Sequence, residues 1–259
     1  MVRLGLVESR SVAQAVIADG RVTVDGAPAS KAARLVDPAQ AVVVAGPPAK
    51  YVSRGGLKLE AALERFGVDV AGLRAIDVGS STGGFTDCLL DHGVESVLAL
   101  DVGRGQLHES LRDDPRVGVH ERTNVRSVDP EAIGAPFDIL VADLSFISLR
   151  TVMADLFSLV SDSAPMLLLV KPQFEAGKPE VDRGSGVIRD PEVWERVLGE
   201  VERSIRGHGA AIMEGMASPI TGAEGNVEFL VHVVRGEAPA LDASVLVAEA
   251  VDLTGGGGA

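Results

Sequence analysis

The sequence has 259 residues, 46% of them hydrophobic and 24% charged, which favours a folded globular chain over a disordered one. Its single cysteine, Cys88, excludes a framework of intramolecular disulfides and indicates a reducing compartment. The sequence contains neither a bilayer-spanning apolar run nor an N-terminal signal pattern, and its five histidines are dispersed. We therefore predict a cytoplasmic protein with no membrane partner and no metal site.

The net charge of −13 is unevenly distributed along the chain. Residues 1–50 carry six Lys and Arg against four Asp and Glu, whereas the remainder carries 18 against 33. The acidic charge argues against a protein that coats nucleic acid without sequence specificity, because phosphate binding needs a basic surface. The contrast between the two parts predicts two modules.

The first module is predicted to be a small α+β domain over residues 1–46. Gly20 would end its helix in a left-handed conformation, and Asp25-Gly26 would form a turn after its first strand. The run Gly46-Pro47-Pro48 breaks regular structure and predicts a linker over residues 47–52. The predicted elements are a helix over 12–19 and strands over 21–24 and 42–44.

The second module, residues 53–250, alternates apolar strands with amphipathic helices, which predicts an α/β fold with a mostly parallel sheet of seven strands. Its last two strands have no helix between them and suggest an antiparallel edge. The glycine-rich end predicts a flexible tail over 251–259. The predicted strands are 74–78, 96–101, 117–121, 137–143, 165–171, 210–216 and 227–234. The predicted helices are 53–66, 83–92, 105–113, 148–161 and 190–207.

The most informative motif is the glycine- and serine-rich turn that follows the first of these strands and opens a helix. Glycines let a ligand approach the backbone, and a helix N-terminus offers free N–H groups. A P-loop would need a Gly-Lys-Ser/Thr run, and a dinucleotide would favour Gly-x-Gly-x-x-Gly. The glycines here, Gly79, Gly83 and Gly84, match neither pattern. Asp77 just before the turn suits the cationic end of S-adenosylmethionine, whose ribose could bind Asp101. A tight turn with no ligand, and a surface role for Asp101, remain the alternatives.

Four charged residues are candidates for the chemistry, since a sugar hydroxyl is a poor nucleophile that benefits from a base. Lys171 and Asp143 end apolar strands, where open α/β sheets bind ligands. Glu228 lies within an apolar strand, and Lys58 lies in the helix that begins the module. Taken singly, each has an ordinary structural explanation as a solvated side chain, a turn cap or a residue at the sheet edge.

Taken together, these stretches resemble the TlyA family of rRNA 2′-O-methyltransferases, also called haemolysin A, which have an FtsJ-like Rossmann domain. The resemblance covers nearly the whole chain and is carried by residues 51–59, 77–86, 142–148, 170–175 and 224–228. It implies a catalytic tetrad at Lys58, Asp143, Lys171 and Glu228, with Lys171 as the base. The expected cofactor contacts are Asp77, Gly79, Ser80, Ser81, Thr82, Gly83, Gly84, Phe85, Asp101, Asn124 and Asp143.

The first module resembles the S4-like RNA-binding domain of the same family through residues 5–11 and 18–26, although its N-terminus is shorter than is usual. The expected RNA contacts are Arg3, Arg10, Arg21, Lys31, Arg34 and Arg54. Aromatic residues are scarce, so Phe85, Phe146 and Phe174 are either base-stacking platforms beside the pocket or core residues.

The resemblance implies S-adenosylmethionine-dependent methylation of a ribose 2′-hydroxyl, of a cytidine in 16S or 23S rRNA. Ribosomal RNA or a ribosomal subunit is the expected partner, and no obligate protein partner is expected. Two alternatives stay open: a membrane-active haemolysin, which would need an amphipathic element and a basic face, and an RNA-binding protein that has lost catalysis.

Overall fold

The chain divides after Ser53 into two units, residues 1–53 and residues 54–259, which are described separately. The computed structural model describes residues 1–7, 10–18, 20–46, 49–184, 186–222 and 224–255. This division lies beside the linker predicted over 47–52, of which residues 47 and 48 fall outside the described residues. No helix in the described ranges is long and apolar enough to cross a membrane.

The first unit packs one helix on a small antiparallel sheet with strand order β2-β1-β3. Its core is formed by Val16 of the helix together with Val22, Val24 and Ala29. The predicted helix and strands are present within two residues of their predicted limits, although Asp19 falls outside the described residues. The elements are a 3₁₀ turn at Val2–Leu4, α1 (Arg10–Ala18), β1 (Val22–Val24), β2 (Ala27–Pro28) and β3 (Val42–Val44).

The second unit is built around a seven-stranded sheet with helices between its parallel strands. The strands are β4 (Arg74–Val78), β5 (Ser96–Leu100), β6 (Val117–His120), β7 (Ile139–Ala142), β8 (Met166–Val170), β9 (Ala210–Ala217) and β10 (Phe229–Arg235). The helices are α2 (Gly55–Phe66), α3 (Gly84–Asp91), α4 (Glu109–Arg112), α5 (Leu149–Ser158), α6 (Pro172–Glu175), α7 (Lys178–Arg183), α8 (Pro191–Arg206) and α9 (Ala243–Gly255), with 3₁₀ turns at Val125–Ser127 and Glu131–Ile133.

The strand order is β6-β5-β4-β7-β8-β10-β9. Strands β4 to β8 run parallel, and β10 runs antiparallel to both β8 and β9, which confirms the predicted antiparallel edge. The central strands are apolar without alternation, as in β8, where all five residues are buried, because helices cover both faces of the sheet. The chain leaves β4 toward β5 and later returns to β7 on its other side, so a ligand crevice is expected at the carboxyl end of β4.

Two predicted elements need correction, and two helices were not predicted. The helix expected over 105–113 is only the four-residue α4, because Gly105 has a φ of 65° and the His108 side chain accepts a hydrogen bond from the backbone N–H of Ser110 as the helix cap. Helices α6 and α7 follow β8 where no helix was predicted. The tail expected from residue 251 is wrong up to residue 255, because α9 extends that far and buries Leu246, Val247 and Ala250; residues 256–259 lie outside the described residues.

Candidate active site

The glycine-rich turn leaves β4 in a conformation that a side chain would disturb. Gly79 has a φ of +87°, and a Cβ there would lie 2.6 Å from the carbonyl oxygen of Asp143. The backbone N–H groups of Gly79 and Ser80 both donate to the carbonyl of Leu100, at 2.8 and 3.3 Å. The turn is therefore fixed against the ends of both neighbouring strands, β5 and β7.

The second half of the turn is held by Asp101, the residue that follows β5. Its two carboxylate oxygens accept hydrogen bonds from the backbone N–H groups of Ser81, at 2.8 Å, and Gly103, at 2.6 Å. Ser81 has a φ of 47°, which is unusual for a residue other than glycine. Gly83, the residue before α3, has a φ of +99°, and a Cβ there would lie 2.3 Å from Cδ1 of Leu111. Asp101 thus shapes the turn and keeps lone pairs free for a ligand.

Asp77 lies behind the turn and is completely buried. Its Oδ2 accepts a hydrogen bond from Oγ1 of Thr86 at 2.7 Å, whereas its Oδ1 has no hydrogen-bond partner among the described residues. Burial raises the pKa of Asp77 to about 7; the Thr86 hydrogen bond opposes this rise, and the negative charges of Asp143 and Asp101 add to it. A buried, incompletely satisfied carboxyl group beside a glycine turn fits a cationic ligand and would repel a pyrophosphate.

The four charged candidates form two ion pairs at the same end of the sheet. Lys58 of α2 pairs with Oε2 of Glu228, the residue before β10, and Lys171, the residue after β8, pairs with Asp143 at 2.5 Å. Lys171 also donates to Oγ of Ser145 at 3.1 Å. Lys58, Lys171 and Glu228 are each at most 8% exposed, so these charges are stabilised by pairing with one another.

Strand register explains why the two pairs are neighbours. Phe229 pairs with Val170 in the antiparallel ladder, so Glu228 and Lys171 take the next opposite positions. Val78 pairs with Ala142 in the parallel ladder, so Gly79 and Asp143 follow side by side. The register thus places the glycine turn, Asp143, Lys171 and Glu228 at one end of the sheet, although they are far apart in sequence. Lys58 of α2 joins them through its ion pair with Glu228.

The three phenylalanine candidates have different environments. Phe85 is 3% exposed and belongs to the core. Phe146 is 91% exposed, has a φ of 64°, and its ring centroid lies 5.3 Å from that of Phe174, at an angle of 50°. The Lys171 ammonium lies 5.8 Å from the centre of the Phe174 ring. An exposed aromatic ring on a strained backbone beside Lys171 can stack on a planar ligand.

The remaining cofactor candidates line the turn or lie beyond it. Ser80 is buried and Thr82 is half-buried within the turn. Asn124 is exposed, and its side-chain oxygen accepts a hydrogen bond from the backbone N–H of Arg126 at 3.0 Å, which caps a short 3₁₀ turn. Sequence reasoning did not single out Ser145 and Thr86; the one signal that could have found them is that each lies within a stretch shared with the resembled family.

The RNA-contact candidates are dispersed. Arg3, Lys31 and Arg34 are exposed and line one cavity of about 670 Å³ in the first unit, which has an apolar floor. Arg21 is half-buried in the same unit but does not line this cavity, and its Nε donates to the carbonyl of Ala45 at 2.8 Å. Arg54 is exposed in the second unit, and the side chain of Arg10 lies outside the described residues.

The sheet order and the glycine turn at its switch point define an α/β methyltransferase of the Rossmann type. The FtsJ-like methyltransferase family model matches residues 51–235, and the S4 domain model matches residues 1–42. Both matches agree with the fold class predicted from the sequence.

Comparison with individual relatives identifies the family more closely. The chain is 50% identical over 230 residues to the Mycobacterium tuberculosis protein named "16S/23S rRNA (cytidine-2′-O)-methyltransferase TlyA", covering 88% of this chain and 85% of that protein. It is 44% identical to the Bacillus subtilis protein named "Putative rRNA methyltransferase YqxC", covering 90% of this chain and 83% of that one. A solved structure named "Putative hemolysin from Streptococcus thermophilus" superposes with a TM-score of 0.81 at 36% identity, over 97% of this chain and 93% of that one. The chain belongs to the TlyA family of FtsJ-like methyltransferases, as the resemblance predicted.

Proposed function

We propose that this chain binds S-adenosylmethionine and methylates the ribose 2′-hydroxyl of a cytidine in ribosomal RNA. The observation that carries the proposal is that the glycine turn after β4 and the pairs Lys58–Glu228 and Lys171–Asp143 lie at the same end of the sheet. The choice of cytidine and of ribosomal RNA is supported by the name of the mycobacterial relative.

The cofactor contacts follow from the polarity of the turn. The bound cofactor supplies an electrophilic methyl group on a sulfonium. Asp77, Asp101 and Asp143 surround the turn with carboxyl groups suited to the cationic end and the ribose diol of that ligand, and the backbone at Gly79 lets it approach closely. Of the remaining predicted contacts, Ser80 to Gly84 form the turn, and Asn124 follows Thr123, whose N–H donates to the Asp101 carbonyl at 2.9 Å. Phe85 is buried in the core and is not among the proposed contacts.

The substrate hydroxyl would be activated by Lys171 after its ammonium, which is paired with Asp143, has given up a proton to solvent. Nζ of Lys171 would accept the proton that the 2′-hydroxyl loses, while the cofactor would supply the methyl group and keep the electron pair of the broken carbon–sulfur bond. The positive charge would thus pass from the sulfonium to the ammonium. Asp143 and Ser145 hold Nζ in place, and Asp143 stabilises the ammonium once it has formed. Lys58 and Glu228 would orient the ribose, and the exposed Phe146 ring would stack on the base.

The RNA would be held mainly by cations of the first unit, together with Arg54 of the second unit. Arg3, Lys31 and Arg34 line one concave surface, which suits phosphate groups on a curved backbone, and Arg10, Arg21 and Arg54 complete the proposed set. These contacts position the RNA without reading its sequence.

The test compares Lys171→Ala and Lys171→Arg with the unaltered protein. Transfer of tritium from labelled cofactor to ribosomal subunits is expected to be abolished in both, because arginine keeps the charge but cannot accept the proton. Cofactor affinity, measured by calorimetry, is expected to persist. Full transfer by either variant would remove Lys171 from the mechanism, and no transfer by the unaltered protein to either subunit would favour a catalytically silent RNA-binding protein.

A further inference from the structure

Glu175, at the end of α6, is a buried acid with no part in the proposed chemistry. It is 4% exposed, and its backbone N–H donates to the carbonyl of Lys171 at 3.2 Å. Its carboxylate points to another segment: Oε1 accepts the backbone N–H of Leu149 at 2.6 Å, and Oε2 accepts Oγ of Ser148 at 2.5 Å. Glu175 therefore joins the helix that follows Lys171 to the first residues of α5.

Arg150 adds further hydrogen bonds to Glu175. Its Nε pairs with Oε2 of Glu175 at 3.1 Å, and its guanidinium also donates to the carbonyl oxygen of Glu175 at 2.6 Å. A further bond, to Glu200 of α8 at 2.7 Å, fixes the guanidinium itself. The carboxylate of Glu175 thus accepts three hydrogen bonds from three consecutive residues, a much denser set of bonds than α6 alone would need.

The segment held in this way is the one that carries Asp143, Ser145 and Phe146. It is attached to α6 at two places: through Lys171 to Asp143 and Ser145, and through Glu175 to Ser148 and Leu149. The two attachment points, Lys171 and Glu175, lie one helical turn apart. Among the described residues, the segment is also held by the bond from the Asp143 N–H to the Val78 carbonyl, at 3.1 Å, and by the packing of Leu144 and Ile147 on the core. The bonds to Glu175 are those that join it to α6 without involving the ion pair that the chemistry itself uses.

We propose that Glu175 is a positioning residue for methyl transfer, which fixes segment 143–148 against α6 so that Asp143 and Ser145 hold the Lys171 amine in line with the substrate hydroxyl. The inference rests on the proposed role of Lys171. Misplacement of a reacting group by about 1 Å can lower a rate by about a hundredfold. The contacts of Glu175, one helical turn from Lys171, can therefore affect the rate although Glu175 does not touch the substrate.

Glu202 of α8 provides a matched control, because its carboxylate has the same kinds of partner. Its Oε1 accepts the backbone N–H of Leu241 at 2.9 Å and pairs with the guanidinium of Arg206 at 3.0 Å. These bonds tie α8 to the chain before α9 and include none of the four tetrad residues. Glu175→Gln and Glu202→Gln remove equivalent charges.

The experiment measures kcat, KM for ribosomal RNA, cofactor affinity and melting temperature for both variants. Glu175→Gln is expected to lower kcat on the order of tenfold while KM and cofactor affinity change less than about twofold, because alignment is impaired and binding is kept. Glu202→Gln is expected to lower the melting temperature to a similar extent and to leave kcat unchanged. Equal kcat values for the two variants, or a loss confined to cofactor affinity, would overturn the proposal.

Ser148→Ala provides a second variant in case Glu175→Gln folds poorly, since it removes one partner of Glu175 and leaves the carboxylate in place. It is expected to lower kcat in the same direction by a smaller factor, and an unchanged kcat would contradict the proposal. The outcome is separable from the failure of Lys171: if Lys171→Ala remains active, the proposed base is wrong, whereas an inactive Lys171→Ala with a fully active Glu175→Gln removes only the role of Glu175.

Discussion

Asp77 differs from the four tetrad residues because it lacks a cationic partner within the described structure. The tetrad residues offset the cost of their burial by forming two ion pairs, Lys58–Glu228 and Lys171–Asp143. Asp77 has a hydrogen bond from Thr86, and its Oδ1 has no partner among the described residues. The protein therefore keeps a destabilising carboxyl group beside the proposed cofactor site, which is expected where binding matters more than stability.

The first prediction concerns the pH dependence of stability in the absence of cofactor. The pKa of Asp77 rises from 3.8 to about 7 on folding, so the folded state holds this proton more tightly than the unfolded state. The resulting stability is fully present below pH 4 and is lost as pH rises to 7, with an upper limit of about 4 kcal/mol. Asp77→Asn is expected to be more stable than the unaltered protein at pH 7.

Urea unfolding at several pH values between 4 and 8 measures this difference. Asp252→Asn, at an exposed position of α9, serves as the control and should follow the unaltered protein throughout. A stability difference between Asp77→Asn and the unaltered protein that stays constant over this range would show that Asp77 is ionised normally in the fold.

Lys171 and Asp143 were predictable as candidates because charged residues that end apolar strands are visible in sequence, whereas Lys58 and Glu228 joined them mainly through the family resemblance. Which lysine pairs with which acid was not visible, because it depends on the register of β8 with β10 and on the antiparallel direction of β10. The bonds of Ser145 and Glu175 depend in the same way on how the segment after β7 packs against α6. The catalytic roles of all these residues stay predictions.

At the scale of elements, the turn between β4 and α3 connects the cofactor site to the tetrad. Gly79 lies against the Asp143 carbonyl, which belongs to the backbone after β7 and cannot rotate away as a side chain could. The turn and the Asp143 segment can therefore be in place together only while residue 79 lacks a side chain.

The second prediction compares Gly79→Ala with Gly67→Ala. Gly67 ends α2 with a φ of +61°, and a methyl group at this position would meet open space, so its substitution should cost only backbone strain, about 1 kcal/mol. Gly79→Ala adds a 2.6 Å approach to the Asp143 carbonyl, which we expect to raise the cost to about 3 kcal/mol and to weaken cofactor binding. Denaturant unfolding and calorimetry give both quantities, and equal effects for the two variants would be inconsistent with the close approach.

The elements of the central sheet were predicted well because strands buried on both faces are continuously apolar. Helix α9 was missed for the opposite reason, since its sequence is apolar without a clear periodic stripe and runs into a glycine-rich end. It packs against β9, where a Cβ on Gly215 would lie 2.6 Å from Leu246. That long-range packing, rather than local propensity, explains why the chain is helical there.

At the scale of the whole molecule, the two units differ in the sign of their net charge. The first 50 residues have a small excess of cations, whereas the rest of the chain is strongly acidic. An acidic surface repels phosphate, so RNA binding is expected to depend on the cations of the S4 unit and on those few at the opening of the active site.

The third prediction concerns the salt dependence of RNA binding. The double variant Lys31→Gln, Arg34→Gln is expected to bind ribosomal RNA more weakly and to reduce the slope of log affinity against log salt by about 0.7 to 0.9 for each phosphate that is no longer neutralised. Arg116→Gln, which removes an exposed arginine paired with Asp114 in the second unit, should leave the slope unchanged. Identical slopes for the unaltered protein and the double variant would exclude these two residues as phosphate ligands.

The central claim is that the paired lysines and acids beside the glycine turn methylate a ribose. It is tested most directly by incubating the protein with labelled S-adenosylmethionine and with small and large ribosomal subunits separately, followed by mapping of the modified nucleotide. The account predicts a methyl group on the 2′-oxygen of a cytidine in at least one subunit. A methyl group on a base, or no transfer to either subunit under conditions in which the cofactor is bound, would contradict it.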